Sequence, residues 1–315
     1  MRIVFFGTAE FAVPSLEQLI KAGHTVVAVV TQPDKPHGRG LQLSSPPLKH
    51  AAVRLGLPVL QPKRVRSERF VEEIREIQPD LLALAAFGQI VPQALLDIPP
   101  LGPINVHGSL LPKYRGAAPI QRAILAGETV TGVTTMWMDA TLDTGDILLS
   151  AELQILPSDT SGSLFPRLAN LGAELLVETV ERLANGTLER RPQESSQASL
   201  APMLQPEDGA IRWHESAVQC SNRVRAVSPK PGAYAAIRGK RVKLWQAVAL
   251  DEQTEETSGR ILGFSKTPPG VTVAAGGQTV LILTEVQPES GKRMSADAWA
   301  RGARLQPGEC FTTTN

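Results

Sequence analysis

Three runs in this chain are apolar without alternation: Ile3 to Phe6, Thr25 to Val30 and Leu81 to Ala86. A strand with one face in water alternates polar and apolar residues, whereas an unbroken run must be covered on both faces. Stretches of helical period lie between the runs. Phe11, Leu16, Leu19 and Ile20 form one apolar stripe that stops near Gly23. Val65 to Ile77 carries Glu and Arg on its outer face, and Thr160 to Leu183 reads as a long amphipathic helix. This alternation predicts an α/β fold, a Rossmann-like and mostly parallel sheet flanked by helices. Ligands in such sheets sit beyond the carboxyl ends of the strands, so chemistry is expected there.

The pattern changes after about residue 188. Asn185 to Gln197 is polar and aperiodic. Val218 to Val227 then has a helical pattern. Short β-type runs follow at Gly232 to Ile237, Arg241 to Val248, Gly259 to Gly263, Gly270 to Ala274 and Thr279 to Val286. Five short strands with turn residues between them suggest a small barrel or sandwich, with a five-stranded barrel of the oligonucleotide-binding (OB) type among the options. A length of 315 residues has room for two domains. The expected division is 1–188, a linker over 189–207, and a second domain over 208–315.

Charge is unevenly shared between the two parts. The whole chain carries +1, yet Arg212 to Lys243 holds eight basic residues against the single acid Glu215. Such an excess reads either as a solvated face or as a footprint for phosphates. Two cysteines, Cys220 and Cys310, are too few for a disulfide scaffold and are expected to be packing residues. The apolar run at the N-terminus is too short for a signal-peptide core, and no stretch of 18 apolar residues occurs, so the expectation is a cytoplasmic protein.

Neither G-x-G-x-x-G nor G-x-x-x-x-G-K-[ST] is present, which argues against dinucleotide and nucleoside-triphosphate sites. The informative stretch begins at Ile104-Asn105-Val106-His107-Gly108-Ser109-Leu110-Leu111-Pro112. A strand here places Asn105 and His107 on one face, where an amide and an imidazole can hold a developing oxyanion. His107 alone reads first as a hydrogen-bonded core histidine. Asp139, Asp143 and Asp146 follow within eight residues, at a spacing unlike the calcium loop. A carboxylate beside His107 would orient the ring and favour its charged form; Asp139 and Asp146 also read as turn and capping residues. The loop Gln32 to Pro47, with Gly38-Arg39-Gly40, is long for a compact domain, a mark of functional loops.

The run Asn105 to Gln121, with Thr131-Gly132-Val133-Thr134 and Asp143-Thr144-Gly145-Asp146-Ile147, resembles the folate-dependent formyltransferases. Phe5-Phe6-Gly7-Thr8, Thr31-Gln32-Pro33-Asp34 and Lys35 to Gly40 resemble the bacterial branch of that family that formylates the methionine on initiator tRNA. The resemblance covers essentially the whole chain. It implies 10-formyltetrahydrofolate as donor, initiator methionyl-tRNA as acceptor, a monomer, no metal, and an OB-like second domain. It assigns catalysis to Asn105, His107 and Asp143. It puts the folate against Ser109, Leu110, Leu111 and Pro112, with its pterin near Phe87, Gly88 and Gln89. Relatives often have Tyr where Phe87 stands, and the change leaves an apolar wall. For the tRNA it implies the loop 34–49 with Arg39, and in the second domain Arg223, Lys240, Arg241 and Lys243, with Lys292-Arg293 behind them. Relatives that formylate small amines need neither the loop nor a basic second domain.

Overall fold

The structure is a computed structural model and describes residues 1–37 and 42–313. Its residues group into two units. The first comprises Met1–Pro119, Val130–Gln154 and Phe165–Ala201; the second comprises Ile120–Thr129, Ile155–Leu164 and Pro202–Asn315. No helix among the described residues is long and apolar enough to cross a membrane.

In chain order the elements begin β1 (Arg2–Gly7), α1 (Val13–Lys21), β2 (Thr25–Val30), β3 (Lys35–His37), β4 (Gln42–Ser44), α2 (Pro47–Arg54), β5 (Val59–Leu60), α3 (Glu68–Ile77), β6 (Leu81–Ala85), α4 (Gln93–Leu96) and β7 (Pro103–His107). They continue with α5 (Pro119–Ala126), almost all of which groups with the second unit, then β8 (Val130–Trp137), β9 (Ile147–Gln154) and α6 (Ser161–Ala184). Seven of these strands form one sheet in the order β5-β2-β1-β6-β7-β8-β9. The five strands from β5 to β7 are parallel. β8 and β9 add to that edge antiparallel, so the sheet is mixed.

The unbroken apolar runs are buried on both sides, as their pattern requires. One face is lined by Val4, Phe6, Ala28, Val30, Leu82 and Leu84, covered by Phe70 and Ile74 of α3. On the other face α6 comes very close. A Cβ added at Gly172 would stand 2.8 Å from Val106 Cγ1, so only glycine lets the helix lie this near β7. Between Gln32 and Pro47, where the sequence predicts a loop, β3 and β4 pair as a hairpin, Lys35 opposite Ser44 and Pro36 opposite Leu43. Each strand is three residues long, too short to show a period, and the apolar Pro36 and Leu43 are exposed, so no buried face marks either strand.

The second unit continues with α7 (Ala217–Ala226), β10 (Ala233–Ile237), β11 (Lys240–Gln253), β12 (Ile261–Lys266), β13 (Pro269–Ala275), β14 (Thr279–Pro288), β15 (Met294–Ser295) and α8 (Ala296–Ala303). The order β10-β11-β14-β13-β12, with β15 beside β14, is antiparallel throughout. The C-terminal segment ties the two edges of that sheet together. Phe311 N–H donates to Gly259 O just before β12, and Thr312 N–H donates to Ala236 O in β10. The arrangement is barrel-like, around a core that includes Trp213, Val242, Leu244, Leu281, Leu283 and Trp299. β11 runs past the predicted end at Val248 into the exposed polar residues Asp251, Glu252 and Gln253, and its pairing with β14 shifts register three times. Each shift breaks the alternation by which a strand is read.

Candidate active site

β7 reaches its carboxyl end at His107, and its pleat sorts the three residues there. Val106 faces α6. Asn105 pairs in register with Leu84, so it and His107 lie on the opposite face, the one α3 covers farther along the sheet. Asn105 is half-buried, and its carboxamide makes no hydrogen bond among the described residues. His107 is only 5% exposed. It is therefore a buried histidine as well as a candidate catalytic one, and its partners decide between the two.

His107 Nε2 lies 2.9 Å from Tyr114 O. A carbonyl only accepts, so Nε2 carries the proton of that bond. Nδ1 lies 3.6 Å from Asp143 Oδ2. Both ring nitrogens thus face acceptors, and only the imidazolium can donate to both. That distance is long for an ion pair and too long for a good hydrogen bond, so ring and carboxylate face each other without a short bond between them. Neither partner is placed by simple strand geometry. β8 runs antiparallel to β7, so its carboxyl end, Trp137, lies opposite Ile104. The loop after it must fold back along the face for Asp143 to meet His107. It does so with Asp143 at φ +53° and with Gly145 so close to Trp137 that a Cβ would meet the Trp137 carbonyl oxygen at 1.8 Å.

The loop that leaves β7 is fixed from below. Thr134, fully buried opposite His107, donates to Ser109 O at 2.7 Å and accepts from Leu111 N–H at 3.1 Å. Ser109 is itself buried and donates to Lys113 O. Leu111 is buried, while Leu110 and Pro112 are half-exposed. Near the end of β6, the Phe87 ring is sunk in the core, edge-on to Phe6 at 5.3 Å. The open surface there belongs to Ala86, Gly88 and Ile90, with Gln89 half-buried. Backbone oxygens of Phe87 and Gly88 accept from Gln32 Nε2, which ties this corner to the start of the hairpin loop.

The three clustered acids point to three different partners. Asp143 Oδ2 accepts from Gly116 N–H at 2.9 Å. Asp146 pairs with Arg190, whose guanidinium lies over the Trp137 ring. Asp139 accepts from Thr141 and Thr144. Burial works to raise the Asp139 carboxyl, but these hydrogen bonds outweigh it and leave it below the ordinary range. Sequence reasoning gave no role to Tyr114, Gly116, Gln193 or Ser199, all of which touch the candidate catalytic residues or hold what touches them. Gln193 stands in a polar, aperiodic stretch, and nothing in its neighbours marks it.

Of the residues proposed for nucleic acid, Arg39 lies outside the described residues. Arg223 is corrected by the structure. It is 7% exposed, its guanidinium pairs with both oxygens of Glu215 at 2.9 Å, and it also donates to Asp208 O. Its charge is spent inside the unit. Lys240, Arg241 and Lys243 are exposed on β11. Arg241 stacks on Tyr234 at 3.5 Å, and Lys243 and Arg293 lie over Trp245.

Residues 1–180 match the family model described as formyl transferase, and residues 203–304 match that described as formyl transferase, C-terminal domain. The chain is 50% identical to the methionyl-tRNA formyltransferase of Acetivibrio thermocellus, covering 98% of this chain and 99% of that one. It is 52% identical to that of Koribacter versatilis, covering 96% of each. Among solved structures, an N-formyltransferase from Helicobacter canadensis in complex with folinic acid and dTDP-3-aminofucose superposes with a TM-score of 0.65 at 20% identity, over 91% of this chain and 99% of that one. At that identity the likeness is one of fold.

Proposed function

The chain belongs to the methionyl-tRNA formyltransferase family, and on that premise we propose that it moves a formyl group from 10-formyltetrahydrofolate to the free amine of methionine esterified to initiator tRNA, giving N-formylmethionyl-tRNA for translation initiation. The observation that carries the reading is the grouping of Asn105, His107 and Asp143 on one face at the carboxyl end of β7.

The folate donor supplies an electrophilic formyl carbon, and the residues present fit that demand. The Asn105 carboxamide has no partner among the described residues and can donate, and His107 Nδ1 makes no short hydrogen bond, the Asp143 carboxylate standing 3.6 Å away. As the amine lone pair forms the new N–C bond, Asn105 and His107 stabilise the negative charge gathering on the formyl oxygen. Fixed donors in a water-poor site are worth about 2.7–4 kcal/mol each in such a role. Asp143, whose carboxylate stands 3.6 Å from His107 Nδ1, orients the ring and takes the amine proton, directly or through a water. The bond from formyl carbon to N10 then breaks with its electrons going to N10, which gains a proton as the amine loses one.

The folate is read as lying against Ser109, Leu110, Leu111 and Pro112, with its pterin near Phe87, Gly88 and Gln89. For the acceptor, the loop over residues 34–49, including Arg39, is read as meeting the acceptor end. Lys240, Arg241 and Lys243, on what we read as an OB-like barrel, meet the phosphates. Residues 1–188 then form the catalytic part and 208–315 the tRNA-binding part of a monomeric cytoplasmic enzyme. The test is formyl transfer to methionine on charged initiator tRNA, with uncharged tRNA and free methionine as controls. Transfer only to the charged tRNA upholds the reading. Equal transfer to free methionine or to small amines would replace the acceptor.

A further inference from the structure

Residues 191–201 read in the sequence as part of a linker, but they group with the first unit and run alongside the catalytic pair. Arg191 bridges to Ile147, and Leu200 bridges to Arg115. Between those two anchors, one side chain faces the loop that carries Asp143. Gln193 Nε2 donates to Asp143 O at 2.9 Å and to Gly145 O at 2.7 Å. Its Oε1 accepts from Arg115 Nε and Nη2 at 3.0 and 2.8 Å. All four hydrogen-bonding positions of the carboxamide are therefore used, and they join the 143–145 turn to the 114–116 segment.

Both ends of Asp143 are consequently held. Gly116 N–H holds its carboxylate, and Gln193 holds its backbone carbonyl. The residue sits at positive φ, a conformation that costs a non-glycine residue free energy unless its surroundings impose it. The same strap reaches His107. Ser199 Oγ accepts from Tyr114 N–H at 2.9 Å, and Tyr114 O accepts from His107 Nε2.

We propose that Gln193 is a positioning residue: through its bonds to the Asp143 and Gly145 carbonyls it fixes the Asp143 carboxylate against His107. The proposal rests on the reading of His107 and Asp143 as the reacting pair. Gln193→Met keeps the volume and removes all four hydrogen bonds. Gln193→Glu keeps the acceptor for Arg115 but sets a carboxylate against two carbonyl oxygens, so it tests the donors alone.

The experiment measures formyl transfer, thermal unfolding and the ring ¹⁵N shifts of His107 in the parent chain and both variants. A displacement of about 1 Å at a reacting group costs on the order of 10²-fold in rate, and that is the fall in kcat expected of both variants. KM for the charged tRNA and for the folate donor should stay within about two-fold, because neither binds through Gln193. In an Asp143→Asn background the Gln193→Met change should add little, as the two act as one unit. The His107 Nδ1 signal should move in both variants, whatever the acceptor turns out to be. That readout separates the two claims: a parent chain inactive on charged tRNA sinks the functional reading, while an unmoved Nδ1 signal sinks the positioning role. Lowered unfolding temperature with unchanged kcat, or an equal loss of rate in the Asp143→Asn background, would make Gln193 merely structural and overturn the proposal.

Discussion

The cysteines illustrate how far residue type alone carries. Both were expected to be packing residues, and the structure separates them: Cys220 is fully buried in the second unit's core, whereas Cys310 is exposed. Burial, with Glu215 adding to it, pushes the Cys220 thiol up to about 12. The thiolate is the reactive form, so Cys220 should be inert at pH 8. Titration with a thiol reagent should therefore count one thiol per native chain and two after denaturation; two in the native chain would contradict the burial.

Asp34 is held by side chains from two other segments. Hydrogen bonds from Gln61 first and Lys49 next lower its carboxyl to about 2. A carboxyl depressed on folding contributes stability that is present above its ordinary value near 4 and lost as pH falls through the folded value. The Asp34–Lys49 pair, 2.7 Å apart at the entry to the hairpin loop, should hold at pH 5 and open only near pH 2. A side-chain carboxyl titration by NMR with a midpoint at or above 4 would show that the pair does not form.

Elements with a periodic cause were legible. The three apolar runs are strands because β-branched and aliphatic residues without alternation suit a strand covered twice, and α3 and α6 follow their stripes. Illegible elements lack such a cause. The strands β3 and β4 are three residues each, too short to show a period, and β11 loses its alternation at each register shift. The site divides in the same way. Asn105 and His107 declare themselves by a two-residue spacing on one strand. Gln193, Ser199 and Tyr114 act through backbone carbonyls and amides that no residue pattern encodes. Asp143 came from resemblance to a family, since its loop must double back to reach His107. Gly172 tests the element that positions β7. Gly172→Ala forces a methyl against Val106, and overpacking of this kind costs about 1–3 kcal/mol. We expect a lower unfolding temperature together with a slower kcat, because the push moves Asn105 and His107; a fall in stability with kcat untouched would uncouple α6 from the site.

The first unit carries the candidate site and the second an exposed row of basic residues on β11, and the two kinds of arginine on that second unit should behave differently. Arg223→Ala strips half-buried Glu215 of its bidentate partner and leaves it only Arg212 at 3.6 Å, so the cost should fall below the roughly 3–5 kcal/mol of breaking a fully buried pair. It should lower stability and leave the salt dependence of tRNA binding as it was. Arg241→Ala should do the reverse: a phosphate contact removed reduces the slope of log K against log salt by about 0.9 and barely moves the unfolding temperature. The opposite pattern would reassign the basic charge to internal structure.

If the Asn105–His107–Asp143 face performs the transfer, removing the His107 imidazole must slow it. Single-turnover formylation of charged initiator tRNA by His107→Ala, with tRNA affinity measured alongside, tests this most directly. The expected rate is lower by about 10²–10³-fold, the loss on removing one oxyanion donor, at unchanged affinity. A rate near that of the parent chain would return His107 to the role of a buried, hydrogen-bonded core histidine.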